Sequence, residues 1–189
     1  MTAGLSPGER ELLLQLARQA LEQGVRGIPL AALDMDGLPP ELRQPGVTFV
    51  TLTIEGELRG CVGALEAYQP LAEDVREHAL AAATQDYRFP PVTPQEVPQL
   101  KIEISRLTQP VQLEYRDADD LLARLRPGID GVILRDGARR ATFLPQVWEK
   151  IPDPALFLSY LCQKMGADEG LWRVKKINVF TYQVEEFHE

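Results

Sequence analysis

The sequence predicts an α+β protein with mainly antiparallel sheets and flanking helices. Two hairpin patterns and helices of unlike length set between strands, with no internal repeat, point there. At the start, Ser6-Pro7-Gly8-Glu9 supplies a capping serine, a first-turn proline and a glutamate that can return to the cap. Leu12, Leu13, Leu16, Ala17, Ala20 and Leu21 then recur at helical spacing, so an amphipathic helix ends near Gly24. Residues 27–46 carry four prolines and read as a long irregular connection with at most a short helix. Val47–Glu55, a turn at Glu55-Gly56 and Glu57–Ala64 form the first hairpin. From Pro70 to about Ala83 helical periodicity returns, with Leu71, Val75, His78 and Ala82 on one face.

Residues 84–98 form a shaped loop with Asp86-Tyr87-Arg88-Phe89-Pro90-Pro91 and a second capping signature at Thr93-Pro94-Gln95-Glu96. Leu100, Ile102 and Ile104 alternate with Lys101, Glu103 and Ser105, the pattern of a half-buried strand, and Val111–Tyr115 is expected to pair beside it. Asp117–Leu125 reads as a short helix, and residues 131–144 around Asp136-Gly137 as the clearest hairpin. Pro145–Ile151 and Asp153–Met165 read as consecutive helices, and Ile177–Phe187 as one closing strand.

With 189 residues, the chain is expected to be one domain or two small, closely joined subdomains. Its 44% hydrophobic and 25% charged residues argue against disorder, and two cysteines provide no disulfide framework. A net charge of -8 argues against general nucleic-acid binding. There is no signal-peptide pattern and no apolar run of membrane length, so the expectation is a cytoplasmic, soluble protein.

Cys61 is the leading candidate for chemistry. Gly60 and Gly63 bare the main chain around it, and Arg59 is placed two residues away on the same strand face. A guanidinium beside a thiol favours the thiolate, the species that performs acyl transfer, redox chemistry or metal binding. The competing reading makes Cys61 a small buried hydrophobe. Arg59, Arg88, Glu103 and Lys164 would form an anion-capable pocket if the sheet gathers them; otherwise they are solvated charges. His78 would approach Cys61 as a base if its helix covers the hairpin, although a hydrogen-bonded core role suits its position better. His188 is expected to fray, and Cys162 to be inert core. The Cys and His spacings do not suit zinc, and the common nucleotide, zinc-protease and hydrolase motifs are missing, so no metal or cofactor is expected.

Six segments in order resemble the AMMECR domain family: Leu58-Arg59-Gly60-Cys61-Val62-Gly63, Pro70-Leu71-Ala72, Asp86-Tyr87-Arg88-Phe89-Pro90-Pro91, Glu103-Ile104-Ser105, Gly131-Val132-Ile133-Leu134 and residues 141–148. The resemblance implies two interlocked subdomains built around antiparallel sheets. It also implies membership of an AmmeMemoRadiSam-type system, with a Memo-like protein and a radical SAM protein as partners. No established reaction comes with it. The family's Arg-Gly-Cys-hydrophobic-Gly signature falls on residues 59–63 and its Arg-Phe-Pro-Pro element on residues 88–91, while His78 stands outside the pattern. Two functions follow as alternatives. In one, a cleft with catalytic Cys61 and Arg59 binds an anionic small molecule or modified macromolecule through Gly60, Gly63, Arg88 and Glu103. In the other, a non-catalytic module docks a protein over a structural Cys61.

Overall fold

The computed structural model describes residues 4–189. Its elements are α1 (Pro7–Val25), α2 (Pro40–Arg43), β1 (Val47–Ile54), β2 (Glu57–Gly63), α3 (Leu71–Thr84), β3 (Leu100–Leu107), β4 (Val111–Gln112), α4 (Ala118–Arg124), β5 (Gly131–Asp136), β6 (Arg139–Phe143), α5 (Pro154–Lys164), α6 (Leu171–Val174), β7 (Asn178–Tyr182) and β8 (Val184–His188). Two compact units result: one ends at Leu107 and takes back Glu185–Glu189, and the other is Thr108–Val184.

The first unit holds a four-stranded sheet in the order β2-β1-β3-β8. β1 is antiparallel to both β2 and β3. The β1–β2 turn puts Glu55 at φ 52° and Gly56 at φ 85°. Two successive positive values are what a two-residue hairpin turn following strand twist requires. Strand alternation sends Val50, Leu52, Ile102 and Ile104 to one face, where they are fully buried with Leu13, Ala17 and Leu21 of α1 and Val75, Ala79 and Ala82 of α3. The opposite face carries Phe49, Thr51, Cys61 and Glu103, all partly exposed.

Helix α1 begins as its sequence dictates. Ser6 Oγ accepts the Glu9 N–H at 3.3 Å, and the Glu9 carboxylate accepts the Ser6 N–H at 2.7 Å. Ser6→Ala is expected to lower stability by about 1 kcal/mol, the usual value of such a cap. The check is a urea titration in which the midpoint falls while the slope is unchanged.

In the second unit the sheet order is β4-β7-β5-β6. Its core gathers Leu121, Val132, Leu134, Phe157, Leu158, Leu161, Cys162 and Val179, with Trp148 stacked on Phe157. Cys162 is fully buried, as expected of a core residue, and burial pushes its thiol pKa up. Tyr182 covers Gly131, donates its hydroxyl hydrogen to the Phe143 carbonyl at 3.2 Å, and has its pKa pushed up to about 12 by burial.

Two expectations about elements are corrected, and a third is refined. Val111 and Gln112 pair with β7 in the second unit, not with β3. The closing segment is two strands in two sheets, interrupted at Gln183, whose N–H is taken by the Thr108 hydroxyl at 2.8 Å. The first of the two consecutive helices is present, but as a 3-10 helix that covers Pro145–Glu149 and stops short of Ile151. In each case the long-range pairing or local tightening carries no strong local signal in the sequence.

Candidate functional site

The site forms on β2, an edge strand of the first sheet. Such an edge leaves main-chain donors and acceptors without a strand to pair with. At Cys61 two side chains supply what a strand would. The Asp86 carboxylate accepts the Cys61 N–H at 2.8 Å, and Arg88 Nη2 donates to the Cys61 carbonyl at 3.3 Å. Arg88 also donates to Asp86 through Nε at 2.9 Å and Nη2 at 2.7 Å. Asp86 and Arg88 therefore form one clamp that fastens the loop after α3 to the edge.

Because both main-chain groups of Cys61 point away from β1, Cys61 and Thr51 face each other as a non-hydrogen-bonded pair, the type with closer side chains. Thr51 Oγ1 accordingly lies 3.4 Å from Cys61 Sγ as a donor. Thr51 is also in register with Glu103 of β3, so Cys61, Thr51 and Glu103 form a row across three strands. That row lies on the face away from the helices, and Cys61 is half-buried.

Arg59 goes elsewhere. Leu52 pairs with Gly60 and Thr53 with Leu58, which leaves Arg59 as the extra residue of a β-bulge. The bulge re-aims its side chain toward the loop. Nε and Nη2 donate to Glu96 at 2.8 and 3.2 Å, and Nη1 donates to the Pro90 carbonyl at 3.0 Å. Glu96 further accepts from the N–H and hydroxyl of Thr93. The expectation that Arg59 shares the face of Cys61 and stabilises its thiolate is corrected. Arg88 is the guanidinium at Cys61, and it touches the main chain.

Both acids are held strongly ionised. Arg88 hydrogen bonds, joined by the Cys61 N–H, hold the Asp86 carboxyl well below the usual range against the effect of its burial. The Arg59 hydrogen bonds, joined by the Thr93 N–H, bring Glu96 down to about 2. Asp86 in turn raises the pKa of Arg88.

The glycines serve packing. An added Cβ at Gly60 would overlap the main-chain oxygen of Ala82 in α3, so Gly60 lets helix and sheet approach. At Gly63 the same position is filled by the Phe49 ring. The expectation that both glycines leave the main chain open to a ligand is corrected on these contacts. Lys164 belongs to the second unit and donates to the Thr142 carbonyl at 2.9 Å.

His78 is no partner for Cys61. It is buried on the helix side, with Nδ1 3.2 Å from Asp74 Oδ2 and 3.4 Å from Thr48 Oγ1. Thr48 shares the core face with Val50 and Leu52, opposite the thiol. Among the described residues no group of three or more Cys, His, Asp or Glu side chains suits a metal ion. Nor is any helix among them long and apolar enough to cross a membrane.

Neither Asp86 nor Glu96 stands out in the sequence as a site-building residue. Two signals were present: acids spaced two and three residues from Arg88 and Thr93, and a glycine inside a strand pattern, which marks a bulge.

The arrangement defines a class of protein: an α+β chain presenting a cysteine on an open sheet face, with the main chain behind it clamped by a carboxylate–guanidinium pair. The AMMECR1 family profile matches residues 14–187. A protein from Thermofilum pendens is 38% identical over 98% of this chain and 92% of its own length. One from Methanothermobacter thermautotrophicus is 38% identical over 99% and 97%. The crystal structure of the uncharacterized protein PH0010 from Pyrococcus horikoshii aligns with a TM-score of 0.81 at 31% identity, covering 98% of this chain and 93% of that one. The chain belongs to the AMMECR1 family.

Proposed function

We propose that this chain is a cytosolic binding component of an AmmeMemoRadiSam-type system, and that it receives a small molecule or modified macromolecule on the sheet face around Cys61. The supporting observation is the rigid presentation of the thiol. Its main chain is fastened from the edge by Asp86 and Arg88, while Sγ meets the Thr51 hydroxyl on the face away from the core. A fixed polar row on a rigid strand suits recognition, because little ordering remains to be done on binding. The Memo-like and radical SAM proteins named by the resemblance are the proposed partners.

The same clamp favours a second reading, a protein-docking module in which Cys61 matters only through its main chain. Alkylation of the native protein by iodoacetamide across pH separates the two. Under the first reading Cys61 alkylates in the folded protein and Cys162 only after unfolding, by mass spectrometry of the digested chain. Labelling of Cys61 only in denaturant, together with unchanged partner binding by Cys61→Ser, would select the docking module.

A further inference from the structure

The net charge of -8 is not shared evenly along the chain. Lys and Arg number nine against eighteen Asp and Glu in the first unit, and eleven against ten in the second. Within the second unit the cations gather further. The tip of the β5–β6 hairpin carries Arg135, Arg139 and Arg140, and the end of α6 with its connection to β7 carries Arg173, Lys175 and Lys176. Folding joins the two segments, because Arg135 is in register with Asn178 and Lys175 Nζ lies 2.7 Å from Asp136 Oδ1. All six cations are exposed. The carboxylate inside the cluster is Asp136, which Arg139 and Lys175 share at 2.7 Å each.

Three of the cations rest on rings rather than on acids. The guanidinium carbon of Arg135 is 5.4 Å from the centre of the Phe180 ring, that of Arg173 is 4.7 Å from Trp172, and Lys176 Nζ is 5.5 Å from Tyr115. Among the described residues none of the three forms an ion pair or a side-chain hydrogen bond. A ring steadies each cation and leaves its N–H donors unspent. The flanking acids do not cancel the cluster. Asp168 accepts the Gly170 N–H, Glu169 accepts from Gln163, and Glu114 stands one residue beyond Leu113, whose N–H bonds to Val179. Counted with Asp136, they leave six cations to four acids.

Such a cluster suits a chain of anions, because each phosphate that meets a cation releases its own counterion. Two features favour nucleic acid over an acidic protein segment. Four of the six cations are Arg, whose rigid fork fits phosphate oxygens. A guanidinium backed by a ring also takes a nucleobase on its outer face, a partner that an acidic peptide lacks. Val174, 85% exposed between Arg173 and Lys175, adds an apolar contact for a base or sugar.

We propose that the β5–β6 hairpin tip and the α6–β7 connection together bind the phosphate backbone of a nucleic acid. The cluster shares no residue with the Cys61 face, so the two readings stand or fall separately.

The test is fluorescence anisotropy of labelled oligo-uridylate and oligo-thymidylate, each about 20 nucleotides long, titrated with the full chain between about 50 and 200 mM salt. With about four phosphates neutralised, the logarithm of the binding constant is expected to fall against that of salt with a slope of about -3, roughly sixtyfold across the range. The RNA and the DNA are expected to bind within about threefold of each other, since phosphates carry the affinity. Arg135→Gln combined with Arg173→Gln is expected to weaken binding about tenfold and to make the slope shallower by about 1.4. The milder Lys176→Gln is expected to make it shallower by about 0.7. Lys101→Gln, an exposed cation of the first unit, is expected to change neither. No binding at about 50 mM salt overturns the proposal, as does binding that Lys101→Gln weakens as much as the double variant. A preference of more than about tenfold between the two oligonucleotides overturns the backbone reading. Displacement of the RNA by polyglutamate as effectively as by unlabelled RNA of equal charge also overturns it, in favour of an acidic protein segment.

Discussion

Gly60→Ala is expected to destabilise the protein by about 3 kcal/mol or more, at the upper end of what overpacking costs. The reason is the identity of the atom in the way. Where a flexible side chain could swing aside, the Ala82 carbonyl belongs to the main chain of α3 and cannot move without lifting a turn of helix from the sheet. Ala79, Ala82, Ala83 and Val75 of that helix are buried against the same core, so the displacement would open gaps well beyond the new methyl. Gly8→Ala provides the contrast. Gly8 lies in the first turn of α1 with nothing within 4 Å of an added Cβ, and the change there is expected to be neutral or stabilising by up to about 1 kcal/mol. Urea unfolding of the two variants beside the parent measures the difference. Equal stability of Gly60→Ala and Gly8→Ala would refute the close approach of helix and strand.

Asp86→Ala is expected to cost about 3 kcal/mol. It removes the acceptor of the Cys61 N–H and leaves Arg88 without its partner, and breaking a buried pair on one side costs roughly 3–5 kcal/mol. The lower end applies because the Arg88 side chain is 44% exposed and water can resolvate its charge. The pH dependence has a definite sign. The folded Asp86 carboxyl is depressed below its unfolded value, so its contribution is complete above about pH 4 and is lost as pH falls through the folded pKa. Glu96 has the same sign, with its loss complete near its folded value of about 2. The parent should therefore lose stability below about pH 4 more steeply than Asp86→Asn, whose amide has no proton to gain. Parallel acid limbs would show that the clamp is not ionic.

The elements that the sequence announced are those whose signal is local. The capping box at Ser6, the Glu55-Gly56 turn and the alternation of Leu100, Ile102 and Ile104 all lie within a few residues of the structure they specify. Val111 found its partner some seventy residues away in β7, and nothing near residue 111 says so. The site divides in the same way. Cys61 was identifiable from a residue type set between two glycines. The partner of Arg59 was not, because a single bulged residue sends that side chain to Glu96 in a different segment. An alternating strand pattern places Arg59 beside the thiol, and the bulge undoes the alternation at that one position. In the sequence Gly60 suits an opening for a ligand and a helix that must come close equally well, and only the position of Ala82 distinguishes the two.

Amide hydrogen exchange at Cys61, read residue by residue by NMR, tests the clamp most directly. Cys61 is on an edge strand, and its N–H has the Asp86 carboxylate as acceptor. The amide should be strongly protected in the parent and should exchange far faster in Asp86→Ala, while the core amides of β1 keep most of their protection. An unprotected Cys61 amide in the parent, or one equally protected in both proteins, would contradict the account.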